Sequence, residues 1–331
     1  MAFILLLSFA TDFTKVDQWV INQEVTGFYN SSVIDPDGEL IANFWKDPVF
    51  ITNKKGRFES LRPMGNGPAD IISAGALSFR GKELTVIGHQ GKIQHFIKKN
   101  GSYELKGLTT LEPSKKMLMY CDAAWVGDKF LIAGMRSKRP KLHLVRAYDQ
   151  KGSWLEDVVT VTLEESTVDR PRYELMRFYL ELGRRLYFMP EYEMKVTVID
   201  PKSLKTLAVH DLEKPDFYRR MPDNIYVKEV SKDFYTNVFH WTSNYNRINA
   251  MTTVEDYLVV QVRDIRPGQP NYWVGIYDTE QFRLKKQVRT NDLLLDASGN
   301  RLYMFKNGDP IFDEVRTNPG PLTINIYELK P

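Results

Sequence analysis

Six times along this chain a short aliphatic strand opens behind a polar turn: at Gly38–Ile41, Lys82–Thr85, Asp128–Leu131, Arg184–Tyr187, Asp256–Val259 and Asn300–Tyr303. The anchors Leu40, Leu84, Phe130, Leu186, Leu258 and Leu302 lie 44, 46, 56, 72 and 44 residues apart. A period of that size belongs to radial or solenoid repeats, in which each unit buries its faces against its neighbours. Within each period an alternating strand, a tight turn, an aliphatic strand, a third strand, a second turn and a fourth strand follow in order. The side-chain period of two marks strands and not helices. The second turns read Asn53–Gly56, Lys99–Gly101, Asp149–Gly152, Asp200–Ser203 and Asp278–Gln281. Asn or Asp opening such a turn can accept hydrogen bonds from the backbone two residues on, and Gly supplies positive φ. The expected fold is therefore all-β: a six-bladed β-propeller of four-stranded blades.

The last unit ends directly after its third strand, at Tyr327–Pro331, so its outer edge needs a partner. An uncovered edge invites pairing with another chain. Lys15–Asn22 has strand character and no other place in the repeat. It is expected to supply the fourth strand of the last blade and close the ring. Leu186 to Leu258 spans 72 residues, too short for two full blades, so residues 215–249 are read as an insertion, a hairpin through Ile225–Val227 and Asn237–Phe239 turning at Ser231–Asp233. Residues 11–331 then form one domain.

Met1–Ala10 is an apolar run ending Ser8-Phe9-Ala10, with small residues where a signal peptidase cuts. It reads as a signal peptide, with a buried first strand as the other reading, and it is far short of the roughly 20 residues that span a bilayer. The expectation is a secreted or periplasmic protein with no membrane span. Cys121 is the single cysteine, which excludes an intramolecular disulfide and a cysteine metal knot. The 45 basic and 42 acidic residues are intermixed, giving a net charge of +3 without the basic stripe that neutralises a phosphate backbone. No nucleic-acid partner is expected.

Gly65-Asn66-Gly67-Pro68-Ala69-Asp70-Ile71, between the first two blades, resembles the Gly-x-Gly-Pro-x-acidic-apolar loop of six-bladed bacterial propellers related to the NHL-repeat and TolB-like group. Asp70-Ile71 stands where that group more commonly has Glu and an aromatic residue. The resemblance implies an exported scaffold more than an activity. A dinucleotide fingerprint is a poor reading of the same loop, because Pro68 follows at once and no helix begins there to hold a phosphate.

Nucleophile-elbow, zincin and Walker signatures are absent from the sequence. Asp35–Glu39 looks calcium-like but lacks the later ligands of an EF-hand, and a β-turn explains it. His89 and His95 share a hairpin, yet zinc needs three or four convergent ligands. Propeller loops on one face carry the variable chemistry, and there the chain offers Trp45, His89, Arg136, Arg263 and Arg266. The arginines could clamp a carboxylate or sulfate in bidentate fashion, or pair with Asp264, Asp313 and Glu314. The insertion is rich in aromatic residues, with His240, Trp241 and Tyr245 nearest the next inner strand. Such rings suit a sugar or a protein partner, and they equally suit packing of a hairpin onto the blade face. These features favour a non-catalytic extracytoplasmic propeller that binds a glycan, peptide or protein without a cofactor. The alternative is a calcium-assisted hydrolase or lactonase, with Asp70, Asp122, Asn249 and Asn291 at inner-strand starts as hard oxygen ligands in the channel.

Overall fold

The computed structural model describes residues 12–21, 28–45, 49–61, 70–71, 74–117, 119–138, 141–162, 170–171, 177–222, 224–225, 243–306 and 322–330. After a first strand, β1 (Asp12–Ile21), blade one comprises β2 (Phe28–Ile34), β3 (Leu40–Trp45), β4 (Phe50–Thr52) and β5 (Phe58–Ser60). Blade two is β6 (Ala74–Arg80), β7 (Glu83–Gly88), β8 (Lys92–Lys99) and β9 (Ser102–Thr110). Blade three is β10 (Met119–Val126), β11 (Lys129–Lys138), β12 (Lys141–Tyr148) and β13 (Trp154–Thr162). A short strand, β14 (Arg170–Pro171), precedes blade four: β15 (Phe178–Leu182), β16 (Leu186–Pro190), β17 (Lys195–Ile199) and β18 (Thr206–Asp211). Then β19 (Asn224–Ile225) leads to blade five, which is β20 (Ile248–Val254), β21 (Tyr257–Arg263), β22 (Tyr272–Asp278) and β23 (Leu284–Thr290). Blade six is β24 (Leu293–Ser298), β25 (Arg301–Phe305) and β26 (Leu322–Lys330), with β1 as its fourth strand.

The chain is thus a six-bladed β-propeller whose ring is closed by its own N-terminal strand. β1 runs antiparallel to β26 from Asp12↔Lys330 to Ile21↔Leu322, with one bulge between Lys15 and Asp17. The strand begins three residues before the segment expected from sequence.

Inner and middle strands lie between neighbouring blades and are apolar on both faces, as in β21 (Tyr-Leu-Val-Val-Gln-Val-Arg). Outermost strands such as β23 alternate between half-buried and exposed positions, because one face meets solvent. The core is accordingly divided into six clusters, one at each blade boundary. One example joins Val254, Val259 and Ile276 of blade five to Leu294, Leu302 and Leu329 of blade six. Another joins Leu40, Ala42 and Phe50 of blade one to Leu293, Ile324 and Trp19 of blade six.

The hairpin turns follow the expected chemistry. Asp149 Oδ1 accepts the amides of Lys151 and Ser153, and Gly152 takes φ +82°. In the two turns without glycine, Leu204 (φ 58°) and Phe282 (φ 57°) adopt the left-handed conformation instead. Both are buried, so core packing holds them in a conformation ordinarily left to Gly or Asn.

Of the insertion, residues 215–222, 224–225 and 243–249 are described, and β19 pairs with β14. The expected hairpin turn at Ser231–Asp233, like Met1–Ala10 and the glycines of the Gly65 loop, lies outside the described residues. The Arg266 and Arg289 guanidiniums both lie over the Phe217 ring, 4.5 and 4.4 Å from its centre.

Candidate ligand-binding site at the channel mouth

Five of the six inner strands carry a β-bulge near their start. The register shifts between Tyr29 and Ser31, Ala74 and Ala76, Tyr120 and Asp122, Ile248 and Ala250, and Leu294 and Asp296. The extra residues are therefore Asn30, Gly75, Cys121, Asn249 and Leu295, at equivalent places around the ring. A bulge bends its strand and re-aims a side chain, and the inner strands surround the central channel. Inner strands start where the loops from the preceding outer strands arrive, so this level is the loop-face mouth.

Four of the five bulge residues are committed to the fold. Asn30 Nδ2 donates to the Ala74 and Gly75 carbonyls at 2.7 and 3.3 Å. Gly75 is required by space, since a Cβ there would lie 2.9 Å from Tyr120 Cβ and from the Tyr120 carbonyl oxygen. Cys121 is buried and its sulfur accepts the Phe178 amide; burial pushes its thiol pKa up to about 12. Leu295 is buried, and its carbonyl accepts Ser32 Oγ at 3.0 Å. Asn249 differs. It is 5% exposed, and among the described residues neither its amide nitrogen nor its amide oxygen has a hydrogen-bond partner.

Around Asn249 the mouth is charged. Arg177 Nη2 donates to both the carbonyl and Oδ1 of Asn30, the latter at 3.0 Å, so its guanidinium connects blade four to blade one, its opposite across the ring. The Arg177 amide donates to Glu191 Oε2 at 2.8 Å, and the Glu191 carbonyl accepts the Ile248 amide at 2.7 Å. Glu191 and Arg247 are both buried. Burial raises the Glu191 pKa, opposed chiefly by the Arg247 charge. His89, just after β7 and exposed to solvent, lies close enough to Arg177 that partial desolvation and then the Arg177 charge push its pKa down.

Farther along the channel stand three carboxylates, each accepting a backbone amide of the next blade. Asp122 Oδ2 accepts Leu180 N at 2.9 Å, Glu181 Oε1 accepts Thr253 N at 3.1 Å, and Asp296 Oδ2 accepts Ile34 N at 2.7 Å. They clasp blades three to four, four to five and six to one. All three are part-accessible through the channel yet enclosed by protein. Burial raises Asp122 to about 7, and burial plus the charge of Asp296 raise Glu181; burial raises Asp296 as well. Among the described residues no group of three or more His, Cys, Asp or Glu side chains is placed to hold a metal ion.

The sequence-based candidates are distributed unevenly. Asn249 and Asp122 lie near the starts of the inner strands β20 and β10, and His89 follows β7. Arg136 donates to the Lys116 carbonyl at 2.9 Å. Arg266 forks onto Asp264, at 3.0 Å from Nε and 2.7 Å from Nη2, and Arg289 pairs with the same carboxylate. Burial of Asp264 would raise its pKa, but the Arg266 hydrogen bonds and the two guanidinium charges hold it below the usual value. Arg263 bonds through its backbone to Arg247 and Asn246. Tyr245 packs beneath Arg219, whose guanidinium lies 5.0 Å from its ring centre. Asp70 presents its carbonyl to Lys92 and Gln90. Asn291 is exposed, and its Oδ1 accepts Asn271 N. The Trp45 side chain, His240 and Trp241 lie outside the described residues, as do Asp313 and Glu314. In the calcium-like turn, Lys98 Nζ sits 2.7, 2.7 and 2.9 Å from Asp35, Asp37 and Glu39, so an ammonium balances those carboxylates.

No family model matches the chain, and no curated protein matches it. Solved structures do. A member of the DUF4221 family from Bacteroides vulgatus superposes with a TM-score of 0.63 at 9% identity, covering 97% of this chain and 98% of that one. An exported protein, described as putative, from Bacteroides fragilis gives 0.57 at 12% identity, over 97% and 95%. BamB from Moraxella catarrhalis gives 0.45 at 13%, over 96% and 98%. At these identities the likeness is one of fold.

Proposed function

We propose that this chain is a non-catalytic extracytoplasmic binding propeller that holds a glycan, peptide or protein ligand at the loop-face mouth of its channel. The observation that carries this reading is Asn249, a buried carboxamide on the innermost strand with both hydrogen-bonding atoms unspent. Leaving such atoms unpaired costs about 1–3 kcal/mol each, a cost a ligand would relieve. The arginine pair Arg177 and Arg247 beside it adds charge that orients a polar ligand. The extracytoplasmic assignment is supported by the apolar run Met1–Ala10 and by the exported protein among the similar folds. Kinship with NHL-repeat propellers, implied by the Gly65 loop, belongs to the same proposal.

The test is a panel of immobilised glycans and peptides screened with wild type, an Asn249→Ala variant and a Leu108→Ala variant on the exposed outer edge. Loss of the captured ligand with Asn249→Ala alone supports the mouth. Loss with Leu108→Ala alone moves binding to the outer rim and defeats the reading.

A further inference from the structure

We infer that the loop-face end of blade three binds the acid groups of an anionic glycan, on a basic face that Arg136 and Lys141 share with Lys116 of the linker from blade two. This is a second site, beyond the mouth described above and independent of Asn249. At this end β11 and β12 pair as Arg136↔His143, Ser137↔Leu142 and Lys138↔Lys141. Leu142 is buried in the core shared with blade four. Side chains alternate between the faces of a strand, so Lys141, His143 and the residue opposite it, Arg136, stand on the other face, toward the linker. That linker brings cations to meet them. Arg136 Nη1 donates to the Lys116 carbonyl at 2.9 Å, Arg146 Nη1 donates to the Lys115 carbonyl at 2.8 Å, and Lys115 Nζ lies 4.0 Å from the centre of the Trp154 ring. Beside Lys116 the Tyr120 hydroxyl is buried with no partner among the described residues. A Cβ on Gly91 would stand 2.8 Å from that hydroxyl and 3.0 Å from Lys116 Cδ, so the glycine leaves room for the two side by side.

Two carboxylates answer these cations among the described residues. Asp157 is shared by Arg146 Nε and His143 Nδ1, at 2.7 and 2.9 Å. Glu112 accepts Ser114 Oγ at 2.7 Å, and that bond, with the Trp154 amide and the Lys115 and Arg136 charges, holds its pKa down. Glu164 and Glu165, which follow β13 in the sequence, lie outside the described residues. Among the described residues Arg136, Lys116 and Lys141 have no carboxylate in ion-pair contact; Lys116 Nζ donates to the Gln90 carbonyl at 2.9 Å. Burial lowers the His143 pKa, and Arg146, Arg136 and Lys141 lower it further against Asp157, so three cations converge on one imidazole. A bound anion relieves their mutual repulsion. Guanidinium takes a sulfate or carboxylate in bidentate fashion, and ammonium adds a point charge. The array is small, roughly 5 Å across the strands and about 7 Å between alternate residues along them. It matches the few charges of a short acidic oligosaccharide and falls short of the stripe a phosphate backbone needs. None of the exposed large apolar residues lies on β11, β12 or the linker, so the face has no apolar anchor for a lipid surface.

The experiment is calorimetric titration of the full chain with trigalacturonate, a heparin tetrasaccharide, uncharged cellotetraose and a thymidine hexanucleotide. The variants are Arg136→Gln, Lys141→Gln, Asn249→Ala and, at the opposite end of β11 where it pairs with Glu156, Lys129→Gln. Wild type should bind at least one acidic glycan saturably, more weakly as salt is raised, and cellotetraose not at all. Arg136→Gln should weaken that binding at least about tenfold, the scale of one charge-assisted hydrogen bond. Lys141→Gln should weaken it about threefold, as expected for an exposed charge, while Lys129→Gln and Asn249→Ala bind as wild type does. Lys141 has no contact in the fold to lose among the described residues, so its variant answers the question even if Arg136→Gln fails to fold. No saturable binding of either acidic glycan, equal binding of cellotetraose, binding of the hexanucleotide as tight as that of the glycan, or wild-type affinity in both Arg136→Gln and Lys141→Gln overturns the inference. If Asn249→Ala alone loses the glycan, the ligand sits at the mouth, and this inference falls while the binding reading stands.

Discussion

Ring closure by β1 can be tested at Trp19. This residue is 4% exposed, meets Tyr303 edge-on at 5.4 Å between ring centres, and belongs to the core that joins blade six to blade one. Truncating a buried Trp to Ala costs about 3–5 kcal/mol. Its indole N–H has no partner among the described residues, and removing an unpaired buried donor returns part of that cost, so about 3 kcal/mol is expected. Unfolding entropy of about 2.1 cal/mol/K per residue gives roughly 0.7 kcal/mol/K for a chain of this length, hence a melting temperature lower by about 4 °C. Differential scanning calorimetry of Trp19→Ala, Trp19→Phe and Val20→Ala gives the answer. Trp19→Phe keeps most of the ring and loses the unpaired N–H, so it should fall between Trp19→Ala and wild type. Val20, 48% exposed on the opposite face of β1, should change stability by less than about 0.5 kcal/mol. Equal melting temperatures for Trp19→Ala and Val20→Ala would refute the closure.

Three further outcomes are expected. Glu181 and Asp122 bind protons more tightly in the folded state than when unfolded, so stability falls as pH rises from about 7 to 8, with up to about 1.4 kcal/mol per pH unit from each group titrating; His89, His95 and His143, pushed below 6.5, act with the opposite sign, an effect that fades above about pH 7 as the unfolded imidazoles lose their protons. Urea midpoints should show Glu181→Gln, which keeps the acceptor for Thr253, flattening this decline, and a midpoint that rises with pH in wild type would contradict the assignment. Lys98→Met strands the fully buried Asp35 carboxylate and should cost about 3–5 kcal/mol in chemical denaturation; a loss under 1 kcal/mol, well short of that estimate, would show the cluster to be incidental. Arg266→Ala should lower the melting temperature slightly through lost contacts to Asp264 and Phe217 while leaving ligand capture intact, whereas abolished capture would place Arg266 in the site.

The fold was legible because a propeller repeats its signals: each blade offers an aliphatic second strand and an Asn- or Asp-led turn, and the missing fourth strand of the last blade pointed to the N-terminus. The site was less so. Glu181 in Phe-Tyr-Leu-Glu-Leu, Asp122 in Met-Tyr-Cys-Asp-Ala and Asp296 in Leu-Leu-Leu-Asp-Ala are single acids in apolar strands, and the signal that could have found them is that interruption. What brings them together is the ring, which no local spacing encodes. Arg177, Glu191 and Arg247 come from three separate loops for the same reason. The surface arginines drew attention first by their number, yet Arg266 is occupied by Asp264, two residues away, a pairing visible in the sequence as one of two readings.

A ligand held at the channel mouth must meet the Asn249 carboxamide. Its side-chain amide proton resonances, assigned by their loss in Asn249→Leu, should move and saturate as the glycan or peptide captured in the panel is added to the labelled protein. Resonances of Asn249 that stay in place while signals elsewhere shift would contradict a ligand site at the channel mouth.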